Sequence, residues 1–312
     1  MAANPLIHEL LGNGPYEAPG PRHRLVRVEG RDAGEFLHRL CTQDVGGLAE
    51  GEAKPAAFLD AKGKLVATCL IARLDAGFWL ETTADQLAKL AALLERYHFT
   101  EKLTIAVSDL RGLQERVSLA GGTTSLATVH RDGARLALAC ARRGVRFERV
   151  YASPDTTIAR AGLPACDDER YECVRMLAGL VRVGVETEPT TLALEVDLDD
   201  HISTTKGCYT GQEIVARIHT YGHTNRKLCL LRLAAGEAIV APQPLHELDE
   251  RMAVGRVMRC VRLPGRAEHL GVGYLPKDFQ ALGTALALAD GRRVEVIRSE
   301  ERRVGKECRS RW

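Results

Sequence analysis

Short runs of apolar residues, broken by turns, dominate this chain, and in a few places the apolar spacing lengthens to that of a helix. Leu25 to Val28 is a short β-like run. Asp32 to Leu40 follows with Ala33, Phe36, Leu37 and Leu40 at helical spacing behind an Asp cap. Ala56 to Leu59 and Leu65 to Leu74 flank the turn-forming Asp60-Ala61-Lys62-Gly63, and Phe78 to Glu81 continues as a strand. Ala84 to Phe99 places Leu87, Leu90, Ala91 and Leu94 on one helical face, and Leu103 to Val107 is extended again. The order β-α-β-β-α-β is that of a ferredoxin-like split unit.

Beyond Arg116 the pattern is strand-rich, with strands predicted at Val117 to Leu119, Arg135 to Cys140 and Phe147 to Tyr151. A helix is predicted from about Asp168 to Gly179, with acidic residues at its positive end and Tyr171, Val174, Leu177 and Ala178 toward a core. After Arg226 come short alternating runs at Leu228 to Leu233, Met252 to Val261, Leu270 to Leu275, Thr284 to Ala289 and Val294 to Ile297. Their spacing predicts a small β-barrel or sandwich. The expected division is an N-terminal extension (1–24), a ferredoxin-like part (25–110), a middle α+β part (111–226) and a C-terminal barrel (227–297).

Composition adds exclusions. The chain has 312 residues, 45% of them hydrophobic, enough for a substantial core. No apolar stretch approaches the roughly 20 residues of a membrane helix. The first thirty residues lack a basic start followed by an apolar run, so a cytoplasmic protein that does not engage membranes is expected. The nine cysteines are scattered without a C-x-x-C pair, which argues against a disulfide framework or closed zinc site. Residues 298–312 resemble translated sequencing-adapter DNA and are expected to be non-native. They hold six of the 43 Lys and Arg and three of the 41 Asp and Glu; without them 37 basic and 38 acidic residues remain, net −1. That balance speaks against direct nucleic-acid binding.

Candidate chemistry concentrates between Lys206 and Arg226. Lys206-Gly207-Cys208-Tyr209-Thr210-Gly211-Gln212-Glu213 leads into a helix predicted from Gln212 to Thr220, with Ile214, Val215 and Ile218 on its apolar side. A thiol just before a helix and near a lysine meets the conditions that favour a thiolate. Such a group attacks electrophiles, binds soft metals or senses oxidants, and the residues alone do not choose. Arg217 and Arg226 are either solvated charges or an anion clamp. His219 and His223 lie four apart, but Gly222 interrupts the helix and no carboxylate sits at ligand spacing, so no metal site is expected.

The eight-residue motif followed by Ala216-Arg217 resembles the signature of the YgfZ family of folate-binding proteins, relatives of the glycine-cleavage T-protein. The resemblance continues in Asp32, Phe36-Leu37, Thr42-Gln43-Asp44, Gly51, Phe58 to Lys64, Arg175, Ala178-Gly179 and Gly184. It implies an α+β fold with a ferredoxin-like-containing folate-binding core and a C-terminal β-barrel. It also implies tetrahydrofolate as cofactor, and assembly or repair of iron–sulfur clusters in selected enzymes, with indirect support of tRNA modification. Partners would be iron–sulfur enzymes or cluster carriers, and the protein a monomer. Cys208 falls on the family's reactive cysteine and Lys206 and Gln212 on its companions. Tyr209, Gly211, Glu195, Arg217 and Arg226 are the folate-contact candidates.

Two departures bear on mechanism. Where the T-protein carries a carboxylate needed for aminomethyl transfer, Gly63-Lys64-Leu65-Val66-Ala67-Thr68 offers none, which argues against the alternative of a one-carbon transferase. The T-protein's folate-gripping glutamate, in its Arg-x-Glu-Ala-Gly run, is also missing from Arg175-Met176-Leu177-Ala178-Gly179. A buried pterin needs an acidic partner for its N–H groups. Glu195 is the substitute that the sequence suggests.

Overall fold

The structure, a computed structural model, describes residues 4–20, 22–121, 127–156, 162–248 and 252–298. The chain begins with α1 (Pro5–Leu11), where Asn4 accepts a hydrogen bond from the Leu6 amide at 2.9 Å and Pro5 needs no donor. A two-residue β1 (Tyr16–Glu17) follows. Within the expected N-terminal extension, Leu6, Ile7, Leu10, Leu11 and Tyr16 are buried in a core cluster with residues from the second half of the chain.

The next elements are β2 (His23–Glu29), α2 (Ala33–Leu40), β3 (Glu52–Leu59), β4 (Leu65–Leu74), β5 (Gly77–Thr83), α3 (Leu87–Arg96) and β6 (Thr104–Val107). Strands β4-β5-β2-β6 lie side by side and antiparallel, the ferredoxin-like arrangement, with β3 flanking β4. Phe36, Leu37 and Leu40 of α2 and Leu90 and Leu94 of α3 cover one face of this sheet. Asp32 occupies the cap position of α2 without capping it. Its carboxylate instead accepts from the Lys102 amide at 2.7 Å, tying the helix start to the turn before β6.

Four further strands, β7 (Arg111–Leu119), β8 (Ala127–Asp132), β9 (Arg135–Arg142) and β10 (Val145–Ala152), extend the same sheet to ten strands. The two halves meet in a narrow seam, where Glu52 and Ala53 of β3 pair with Thr128 and Ala127 of β8. Then comes α4 (Asp168–Leu177), capped by Asp167, which accepts from the Arg170 amide at 2.7 Å. Tyr171, Val174, Leu177 and Ala178 are all buried.

After α5 (Gln212–Tyr221), strands β11 (Arg226–Leu233), β12 (Gln243–Glu247), β13 (Ala253–Arg262), β14 (His269–Pro276), β15 (Ala285–Ala287) and β16 (Arg293–Arg298) close a barrel in the order β11-β14-β13-β12-β15-β16. The predicted tail lies outside the described residues from 299 onward. Among the described residues no helix is long and apolar enough to cross a membrane.

Candidate functional site

The segment carrying the thiol is pinned before it reaches it. The Ser203 amide donates to the Thr42 carbonyl at 2.9 Å, and the Thr42 hydroxyl donates to the His201 carbonyl at 2.7 Å. Lys206 then turns its ammonium onto the end of α2, donating to the carbonyls of His38, Cys41 at 2.8 Å and Gln43 at 3.0 Å. These oxygens lack helical partners, and the cation meets the negative end of the helix. The three donors of the ammonium are thereby used, and burial lowers the Lys206 pKa.

Cys208 follows, and it is the exposed cysteine among the eight described. The Tyr209 amide donates to Gln212 Oε1 at 3.2 Å, so Gln212 bridges back over the turn. The half-buried Tyr209 ring packs on the cluster around Leu59, Leu65 and Val215, and burial pushes its hydroxyl up to about 12. Gly211 starts α5 at φ +81°, and a Cβ there would stand 2.6 Å from the Asp60 carbonyl oxygen. Only glycine fits so close to the β3–β4 turn. Gly207 has open space around it and no such demand.

The two arginines have different fates. Arg217 pairs with Glu213 at 3.0 Å across one turn of α5, with both side chains largely in solvent. Arg226, at the start of the barrel, holds Glu188 at 2.7 Å and Glu195 at 3.3 Å and stacks 4.3 Å over the Tyr274 ring. The same Glu195 oxygen accepts from the Leu192 amide at 3.2 Å. Glu195 thus serves a junction between core and barrel.

A cavity lies elsewhere in the core. It measures about 320 Å³ and is bounded by β3, β4, β5, β9, β10, α4 and the segment from Leu198 to His201. Ala53, Pro55, Leu70, Ala127, Leu180 and Val181 give it apolar walls. None of the motif residues, nor Glu195, Arg217 or Arg226, is among its lining residues. The cavity and the thiol are instead linked by chain continuity, because Asp200 and His201 sit on the wall and Cys208 comes shortly after them. Gln43, also on the wall, donates to the Pro55 and Asp200 carbonyls and receives Lys206 on its own carbonyl.

Polar groups converge on one side of the cavity. Arg149 donates from Nη1 to Glu81 Oε2 at 2.6 Å and from Nε to Glu115 Oε1 at 3.0 Å. Tyr151 donates to Glu81 Oε1 at 2.6 Å, and Tyr171 donates to Glu115 Oε1 at 3.0 Å. Burial raises the Glu81 pKa while Arg149 pulls it down, and burial with nearby Arg149 keeps His23 neutral, well below the usual imidazole range. His23 Nδ1 and Glu115 Oε2, 3.8 Å apart, are both buried without a hydrogen-bond partner among the described residues. The wall thiols Cys69 and Cys140 are pushed up by burial and stay protonated.

Sequence reasoning missed this wall, though it left a signal. In β10 the positions Val145, Phe147, Arg149 and Tyr151 alternate inward, so the arginine falls in register with three buried apolar residues. Near the motif, the β3–β4 turn offers Asp60 as a carboxylate, but its Oδ1 accepts from the Lys62 and Lys64 amides at 2.9 and 2.8 Å. It closes the turn.

Residues 23–125 match the family model described as the GCVT N-terminal domain. The chain is 29% identical over 261 residues to the tRNA-modifying protein YgfZ of Shigella dysenteriae, covering 77% of this chain and 79% of that protein. It is also 29% identical over 257 residues to the mitochondrial iron-sulfur cluster assembly factor IBA57 homolog of Phaeosphaeria nodorum, covering 75% and 62%. The crystal structure of glycine cleavage system aminomethyltransferase T from Bartonella henselae superposes with a TM-score of 0.72 at 16% identity, covering 94% of this chain and 88% of that one. That likeness establishes the same fold.

Proposed function

Because the chain belongs to the YgfZ/GcvT-like family, we propose that it is a folate-binding accessory protein in the assembly or repair of iron–sulfur clusters of selected enzymes, with Cys208 as its reactive thiol. In this reading it supports tRNA modification indirectly, by keeping cluster-dependent enzymes active. The observation that carries the reading is the single pinned segment that runs from the cavity wall at Asp200 and His201 to the exposed Cys208.

The cavity suits tetrahydrofolate. Its volume falls within the roughly 300 to 1,000 Å³ of small-molecule sites, and its apolar walls surround a few convergent polar groups. Glu81 would hold the polar edge of the ring, with Arg149 fixing its carboxylate, and Arg182 stands among the lining residues to meet an acidic tail. When bound, the folate supplies a reduced, electron-rich ring with one-carbon chemistry. The chain's own residues bind and shield it, while Cys208 meets partners at the surface. A transferase reading fares worse, since Ala67 and Thr68 replace a catalytic carboxylate and Asp60 is committed to its turn.

Two measurements test this. Purified protein is expected to bind tetrahydrofolate above a charge-matched control. In a deletion strain, Cys208→Ser is expected to leave cluster-enzyme activity unrestored while the wild type restores it. Full restoration by the serine variant would make the thiol dispensable.

A further inference from the structure

Which ligand edge the cavity selects follows from its buried charge, given the folate-binding reading above. Arg149 is bonded to two carboxyl groups, Glu81 and Glu115, so acids outnumber the cation two to one. Both acids are about 95% buried, and Tyr151 and Tyr171 supply one further donor each. A carboxylate offers about four acceptor sites, so each oxygen of Glu81 keeps one to fill after Arg149 and Tyr151 are counted. Glu115 Oε2 and His23 Nδ1, 3.8 Å from each other, add two buried polar atoms without a hydrogen-bond partner among the described residues. Polar atoms left this way cost stability unless something enters to satisfy them.

The other acid among the lining residues is not equivalent. Asp200 is half-exposed, and its carboxylate is taken by Arg142 at 2.9 Å and His201 Nδ1 at 2.7 Å. On α4, Leu177 stands where an acid is absent from the Arg175 to Gly179 run, and its side chain is fully buried in a different apolar cluster. Glu81 is therefore the carboxylate that the cavity turns toward a ligand bearing paired donors.

We propose that Glu81 accepts the adjacent amino and ring N–H donors of a 2-amino-4-oxopyrimidine edge, the edge a pterin presents, and so determines the ligand class of the cavity. Arg149 and Tyr151 hold its carboxylate in place and act as positioning residues. Two donors side by side match a carboxylate in bidentate fashion, and a ligand without them would leave Glu81 short of partners.

The test measures anaerobic binding of tetrahydrofolate and of its 2-desamino-2-methyl analogue to the full chain, wild type and Glu81→Gln. The wild type is expected to prefer tetrahydrofolate by roughly tenfold or more, and Glu81→Gln to lose that preference. Equal wild-type affinity for both ligands overturns the assignment of Glu81 and leaves the folate reading standing. Undiminished discrimination by a folded Glu81→Gln variant overturns it as well. Wild-type protein that binds neither ligand overturns the folate reading itself. If the variant fails to fold, the comparison of the two ligands on wild-type protein decides alone.

Discussion

The ammonium of Lys206 lies 2.8 Å from the carbonyl oxygen of Cys41, at the end of α2, rather than being left free beside the thiol two residues on. With His38 and Gln43 it forms a three-carbonyl anchor for the segment that presents Cys208. Lys206→Met removes all three bonds and is expected to cost about 1 to 3 kcal/mol, read from urea unfolding. Hydrogen exchange should rise in residues 203–208 before it rises elsewhere. An unchanged exchange pattern would deny the anchor.

Gly211 and Gly207 separate conformational need from tolerance within one motif. Gly211→Ala places a Cβ at positive φ and 2.6 Å from the Asp60 carbonyl oxygen, and a loss of about 1 to 3 kcal/mol is expected. Gly207→Ala meets open space and should stay within about 0.5 kcal/mol of wild type. Paired thermal melts decide.

Arg217 and Arg226 should respond unequally to alanine. Arg217→Ala breaks an exposed pair with Glu213 and is expected to change stability by less than about 1 kcal/mol and folate affinity by less than about twofold. Arg226→Ala strands Glu188 and Glu195 at the barrel junction, and a loss of about 1 to 3 kcal/mol is expected in chemical denaturation.

Acid should weaken the fold from about pH 6.5 downward. His23 and His201 are both held neutral by burial, so their pKa values in the folded state lie below those in the unfolded chain. The unfolded state therefore binds more protons below about pH 6.5, and stability falls with falling pH by up to about 1.4 kcal/mol per unit for each histidine. Above that pH neither contributes a slope. His23→Gln should flatten the decline between about pH 6.5 and 5 in urea melts, and a slope equal to wild type would contradict the assignment.

The ferredoxin-like half and the barrel were legible because alternation and helical spacing report burial locally. Three strands escaped, the first being the two-residue β1. In β8, His130, Arg131 and Asp132 break the apolar alternation, and β12 runs through Pro244 just after Pro242, where prolines disguise a barrel strand. The motif itself was legible, as were its glycine turn and its helix. The cavity was not, because Glu81, Arg149, Tyr171 and His23 come from separate elements that only tertiary folding brings together. The pairing of Arg226 with Glu188 and Glu195 was hidden for the same reason, since those partners lie more than thirty residues away in the sequence.

Glu188 receives one arginine from each of two barrel strands, Arg226 of β11 and Arg256 of β13, both at 2.7 Å. Glu172 of α4 receives Arg259 at 3.1 Å, and the apolar cluster of α1 and α4 continues into Leu230, Leu270 and Val272 of the barrel. Loosening the barrel therefore strips partners from the helix whose Arg175 lines the cavity, so the two regions are expected to melt together in one cooperative transition.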